Sequence, residues 1–125
     1  MSRVLVAVVL VLSLAGCGST EPGPECVPVP ADTVDSIAGG DTHSFEPTGR
    51  AGAVRAGDDG YVVAVEAAGR YGDDPVVGVW WTPDVNDPGP IMHLDAMART
   101  LSNWPQGPIP NGHKLIGQAR ECVTG

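Results

Sequence analysis

The sequence predicts a small α+β domain in two layers, an antiparallel sheet with helices packed on it, and three observations carry that expectation. Two runs, Tyr61 to Ala68 and Val76 to Thr82, are rich in valine and aromatic residues and bounded by Gly, Asp and Pro, the signature of strands. Asp59-Gly60 stands directly before the first run, a hairpin signal because the tight turn needs positive φ. Two later stretches, Asp95 to Asn103 and His113 to Val123, space their apolar residues at steps of three and four, the period of a helix with one buried stripe.

The chain opens on Met1-Ser2-Arg3, continues as an apolar run from Val4 to Leu14 and ends that run on small residues, the three-region order of an export signal. A spanning helix needs about 20 apolar residues, and the polar, proline-rich run from Gly18 to Pro30 begins too soon to supply them. Leu14-Ala15-Gly16-Cys17 resembles the lipobox of bacterial lipoproteins. That resemblance implies a diacylglyceryl group on the Cys17 thiol, cleavage between Gly16 and Cys17, and a new amino terminus open to a further acyl chain. One chain binds a bilayer marginally, at about 0.8 kcal/mol per buried methylene, whereas two or more hold firmly. The expected organisation is a signal peptide over 1–16, an acylated cysteine and spacer over 17–30, and one globular domain over 31–125.

In the spacer, Pro22, Pro24, Pro28 and Pro30 stand among Gly, Ser, Thr and Glu, a composition that extends rather than packs. Asp32 can then cap a short helix through Ala38, with Asp35 at the favourable end of its dipole, Val34, Ile37 and Ala38 as the buried face and Gly39-Gly40 as the stop. Asp41 to Gly49 is polar, Gly or Pro apart from Phe45 and reads as loop; Ala51 to Ala56 reads as a weak strand.

Both faces of the two main strands are apolar. Tyr61, Val63, Val65 and Ala67 alternate with Val62, Ala64 and Ala68, and only Glu66 is polar. Such strands are central and covered on both sides, at least in part. A Gly- and Asp-rich loop from Gly69 to Pro75 joins them. After a short strand from Ile91 to His93, Asp95 can cap a helix to about Asn103, with Leu94, Met97, Ala98, Leu101 and Trp104 on one side, Asp95 facing Arg99, and Pro105 as the stop. The last helix, His113 to Val123, carries Leu115, Ile116, Ala119 and Cys122 on one face, with Asn111 as its expected cap.

If Cys17 is lipidated, Cys26 and Cys122 remain, and two such thiols outside the cytoplasm point to a disulfide. Closing a loop of about 100 residues is worth roughly 4.7 kcal/mol in the chain-entropy model. A metal pair lacks further cysteine ligands, and redox chemistry favours a close Cys-x-x-Cys. The chain carries 15 acidic against 7 basic residues, a net charge of −8. That balance argues against nucleic acid or anionic lipid headgroups as partners, because both need clustered Lys and Arg.

A second resemblance covers roughly residues 26–123. Gly78-Val79-Trp80, Pro90-Ile91, Asp95-Ala96-Met97-Ala98, Ser102-Asn103-Trp104-Pro105 and Ala119-Arg120-Glu121-Cys122 are similar to a group of small exported or lipoprotein domains of actinobacteria. The high content of Gly, Ala, Val and Pro suits a GC-rich genome of that kind. The resemblance implies fold and compartment and brings no activity with it.

Residues that could carry chemistry form no organised site in the sequence. His43, His93 and His113 show no metal-binding spacing, whereas zinc needs three or four converging ligands. Asp84-Val85-Asn86-Asp87-Pro88-Gly89 with Asp95 echoes a calcium loop, but Pro88 supplies no side-chain oxygen and Asp95 is shorter than the usual Glu. A turn-rich connection explains the same residues. Ser36, Ser44 and Ser102 lie outside any Gly-x-Ser-x-Gly elbow, and Asp73-Asp74 reads as a solvated pair rather than a glycosidase dyad. No metal, cofactor or catalytic residue is expected.

Trp80 and Trp81 must point to opposite faces of a strand. One packs in the core; the other covers a helix or looks outward, where aromatics serve sugar stacking or protein contacts. Trp81 and Tyr71 are therefore the candidates for a binding surface. The expected function is that of a lipid-anchored protein facing the extracytoplasmic side of the cell membrane, a non-enzymatic binding module for an envelope protein or glycan. An accessory subunit of a membrane complex without its own ligand is the alternative, and an enzyme of unrecognised type comes third.

Overall fold

The computed structural model describes residues 25–39, 45–69 and 73–125. Among these residues four antiparallel strands, β1 (Pro47–Arg55), β2 (Tyr61–Ala67), β3 (Val76–Thr82) and β4 (Met92–His93), form one sheet in sequence order. Among the described residues three helices, α1 (Ala31–Ala38), α2 (Ala96–Leu101) and α3 (Lys114–Thr124), pack on it. The α+β class, the antiparallel sheet and the Cys26–Cys122 disulfide are those expected.

Because β2 and β3 are apolar on both faces, helices cover both, and the layers run helix, sheet, helix where a two-layer packing was expected. Val63, Val65, Ala67 and Trp80 meet Val34 and Ile37 of α1 and Ala98 and Leu101 of α2. On the other face Val62, Ala64 and Val79 meet Ile116, Ala119 and Val123 of α3. β2 and β3 pair without a break from Tyr61↔Thr82 to Ala67↔Val76. A slip by one residue would exchange the two cores.

β1 begins at Pro47, so the final part of the expected loop is strand. The pairing shifts register between Pro47↔Ala67 and Ala51↔Val65, and Gly49 takes a positive φ of 102° inside this irregular stretch. Thr48 donates its hydroxyl to Glu66 across it at 2.7 Å. Pro, Gly and Thr are turn residues by composition; here they form a bulged strand start. The hairpin also spans more than Asp59-Gly60. It runs from Ala56 to Gly60, closed by Asp59 N–H to Ala56 O at 2.9 Å and Ala56 N–H to Gly60 O at 2.8 Å. The positive φ falls on Gly57 and Gly60, and a Cβ on Gly60 would lie 2.6 Å from the Thr82 carbonyl oxygen.

Both edges of the sheet are covered, as edge strands require. Val27 exchanges two backbone bonds with Ala53 of β1, at 2.7 and 3.0 Å, and the adjacent Cys26 is bonded to Cys122 of α3. At the far edge, His93 N–H donates to Pro105 O and Gly107 N–H to His93 O, both at 2.8 Å.

The helix caps differ from expectation in two of three cases. α1 starts at Ala31 with Pro30 as N-cap, whose carbonyl accepts from Thr33 and Val34. Asp32 therefore sits in the first turn, and Thr33 is buried with its hydroxyl donating to Val85 O at 2.7 Å. Asp95 caps α2 as expected, accepting from Ala98 N–H at 2.8 Å. That helix ends at Leu101 because Ser102 is extended and spends its hydroxyl on Trp80 Nε1–H and Ala98 O. α3 is capped by His113, whose Nδ1 accepts from Leu115 N–H at 3.1 Å. Asn111 instead lies in the preceding turn, which His113 N–H closes onto Pro110 O.

Candidate functional site

Trp80 and Trp81 separate as strand geometry demands, and their surroundings decide which can meet a partner. Trp80 is fully buried. It stacks on Phe45 with ring centroids 5.2 Å apart and donates Nε1–H to Ser102 Oγ at 2.9 Å. Its ring lies over Gly78, where a Cβ would approach Cη2 to 2.6 Å. Trp80 is thus core, its polar atom satisfied.

Trp81 is half-buried on the α3 face. It pairs with Val62 on β2 and with Met92 on β4. Its Nε1–H donates to the Asp59 carbonyl at 2.5 Å, which folds the hairpin loop against the indole. Asp59, Trp81, Met92, Pro108 and Ile109 line an open groove of about 450 Å³ whose walls are mainly apolar. That volume lies within the range of about 300–1,000 Å³ typical of ligand pockets. The second candidate, Tyr71, and the lipidation candidate, Cys17, lie outside the described residues.

Sequence reasoning pointed to Trp81 and missed the rest of the groove. Met92 was legible in part, since a hairpin pairing of β3 with β4 puts it beside Trp81. Asp59, directly before Gly60, carries only the signal of a turn residue. Pro108 and Ile109 belong to a connection without periodicity, and nothing local marks them as wall residues.

Several of the other chemical candidates hold the fold together. His93 Nδ1–H donates to Trp104 O at 2.8 Å, and His93 lies in a small polar hollow of about 150 Å³ with Arg99, Gln106 and Asn111. His113 caps α3; His43 and Ser44 lie outside the described residues. In the calcium-like stretch, Asp84 accepts from Asn86 N–H at 2.9 Å to form a local turn. Asp95 is buried and points elsewhere, accepting from Val79 N–H, Ala98 N–H and Arg120. Arg120, not Arg99, is therefore the guanidinium that meets Asp95, and Arg99 is exposed. Asp73 and Asp74 are exposed in their loop. Among the described residues no group of His, Cys, Asp and Glu has a metal-binding arrangement, and no helix is long and apolar enough to cross a membrane. No family model matches the chain, and no curated protein or solved structure matches it either.

Proposed function

We propose that this chain is a bacterial lipoprotein, held on the extracytoplasmic face of the cell membrane by lipid on Cys17, and that its domain is a non-enzymatic binding module for an envelope protein or glycan. The observation that carries the anchoring is the division of the cysteines. Cys26 and Cys122 are joined, so Cys17 is the remaining thiol of three, and it is the one that follows Leu14-Ala15-Gly16 and the apolar run. A disulfide of this kind suits an oxidising compartment. The groove at Trp81 supports the binding role: a fixed aromatic with aliphatic walls is the usual centre of a recognition surface.

The test is expression of the full chain in an actinobacterial or other bacterial host supplied with an alkyne-tagged palmitate. The wild-type protein should label, lose its signal and sediment with membranes; Cys17→Ala should do none of these. Membrane retention of an uncut, unlabelled wild-type chain would overturn the anchoring. For the binding role, a photo-crosslinking residue at Ile109 should capture one envelope component that the same residue at Glu121 does not. Equal capture from both positions, or from neither, would speak for an accessory subunit instead.

A further inference from the structure

We infer that the Trp81 groove receives a lysine- or arginine-bearing peptide segment of a partner protein, with the cationic side chain against the indole and facing the Asp59 carboxylate. The inference rests on the reading of this domain as a binding module and specifies the chemistry of what it binds.

Among the described residues Asp59 is the one charged member of the groove lining; the other walls are Trp81, Met92, Pro108 and Ile109. Among the described residues the ion pairs are Arg50–Glu66 and Arg120–Asp95. The exposed carboxylates of Asp59 and its neighbour Asp58 thus have no cationic partner within the described chain. Arg55, at the same end of the sheet, is drawn over the ring of Tyr61 at 5.5 Å from its centroid, and Tyr61 packs on the opposite face from Trp81.

These features match a long cationic side chain better than a sugar. An aliphatic stem can lie along Met92, Pro108 and Ile109 while its charged end stays near water. Tryptophan is the strongest aromatic partner for such a cation. A glycan needs several polar groups to meet its hydroxyls, and among the described residues that line the groove Asp59 alone carries a charged side chain. Because Trp81 Nε1–H is held by the Asp59 carbonyl, the indole is already placed, and little rotamer freedom is lost when a ligand arrives. The net charge of −8 attracts basic segments over a distance set by ionic strength.

Calorimetric titration of the full-length protein in a neutral detergent tests this, with a capped hexa-arginine peptide as probe and a capped hexa-glutamine peptide and a neutral chitin oligosaccharide as comparisons. The arginine peptide should bind saturably and weaken with added salt. Trp81→Leu should lower its affinity about tenfold, and Asp59→Asn, which keeps the backbone carbonyl that holds the indole, about fivefold. The double change Asp73→Asn with Asp74→Asn, which removes two charges at the other end of β2 and β3, should lower it far less than Asp59→Asn does. The inference is overturned if that distant pair matters as much as Asp59, since charge alone would then explain binding, or if Asp59→Asn has no effect. Binding of the oligosaccharide through Trp81 would also overturn it while leaving the binding-module reading intact. No binding of any probe, joined to no capture at Ile109 in the envelope, would remove both.

Discussion

Arg120 of α3 sets its guanidinium on the buried carboxylate of Asp95, the residue that caps α2 on the opposite face of the sheet. The same carboxylate finishes the ladder of β3. Beyond the two-residue β4, Leu94 N–H donates to Val79 O at 2.9 Å and Asp95 Oδ1 accepts from Val79 N–H at 3.2 Å. A side chain thus stands where the next strand residue would have been. One acid joins a strand edge to helices on both faces.

Asp95→Ala should therefore cost more than an ordinary cap. Loss of an N-cap is worth about 1 kcal/mol, and a buried amide left without an acceptor adds about 1–3 kcal/mol. The expected total is about 2–4 kcal/mol in urea unfolding. Arg120→Gln should cost less, because the Arg120 side chain is 44% exposed and water can replace part of what it loses. Equal costs for the two changes would mean that the ion pair, rather than the cap and ladder, carries the effect.

Two glycines should respond to alanine in opposite directions. At Gly78 a Cβ would come within 2.6 Å of the Trp80 ring and 3.2 Å of Ala98 Cα, so the ring or α2 must move. Overpacking of this kind costs about 1–3 kcal/mol, and the near-ultraviolet dichroism of Trp80 should change with it. Gly117, exposed within α3, has nothing within 4 Å of its Cβ position. Gly117→Ala should stabilise by about 0.5–1 kcal/mol through helix propensity.

The disulfide should behave as a staple for the edge of β1. Its two cysteines are 96 residues apart in sequence, and removing such a bridge from a small domain typically costs about 2–5 kcal/mol. Cys26→Ser with Cys122→Ser should also free the segment that Val27 pins to Ala53. The amides of Val27 and Ala53, which bond each other's carbonyls, should exchange faster, while that of Ala64 in β2 should fall only with global stability. Uniform acceleration at all three amides would show that the bridge acts on overall stability alone.

The parts of this fold that were readable in advance are those where one rule acts alone. Val76–Thr82 is legible to the residue because β-branched and aromatic residues fill it between Pro75 and Pro83. Asp95 announced α2 by its place before the apolar period. Where two rules compete, sequence order was a poor guide. Pro47 to Gly49 carries loop composition yet belongs to β1, since Pro47 pairs with Ala67, Glu46 O accepts from Ala68 N–H just past β2, and the Thr48 hydroxyl meets Glu66. His113 caps α3 because Gly112, at φ 92°, turns the chain one step after Asn111. The pairing of Asp95 with Arg120 rather than Arg99 depends on α3 reaching across the sheet, which helical spacing within one segment cannot foretell. The groove was legible at Trp81 through strand alternation, and illegible at Pro108 and Ile109, whose role exists only once the chain has folded beside β4.

The adjacent tryptophans should differ sharply when changed. Trp80→Ala removes a fully buried ring that meets Phe45 and Gly78 and bonds Ser102, and a cavity of that size costs about 3–5 kcal/mol. In a marginally stable domain that loss leaves little folded protein at 37 °C. Trp80→Phe keeps most of the packing but strands the Ser102 hydroxyl's lone pair, for about 1 kcal/mol. Trp81→Leu removes a half-buried ring and one bond to a loop carbonyl, so roughly 1–2 kcal/mol follows from its partial burial. Iodide should quench the emission that Trp81→Leu abolishes and spare the emission that Trp80→Phe abolishes. If iodide reaches both indoles equally, the assignment of one tryptophan to the core and the other to the groove is wrong.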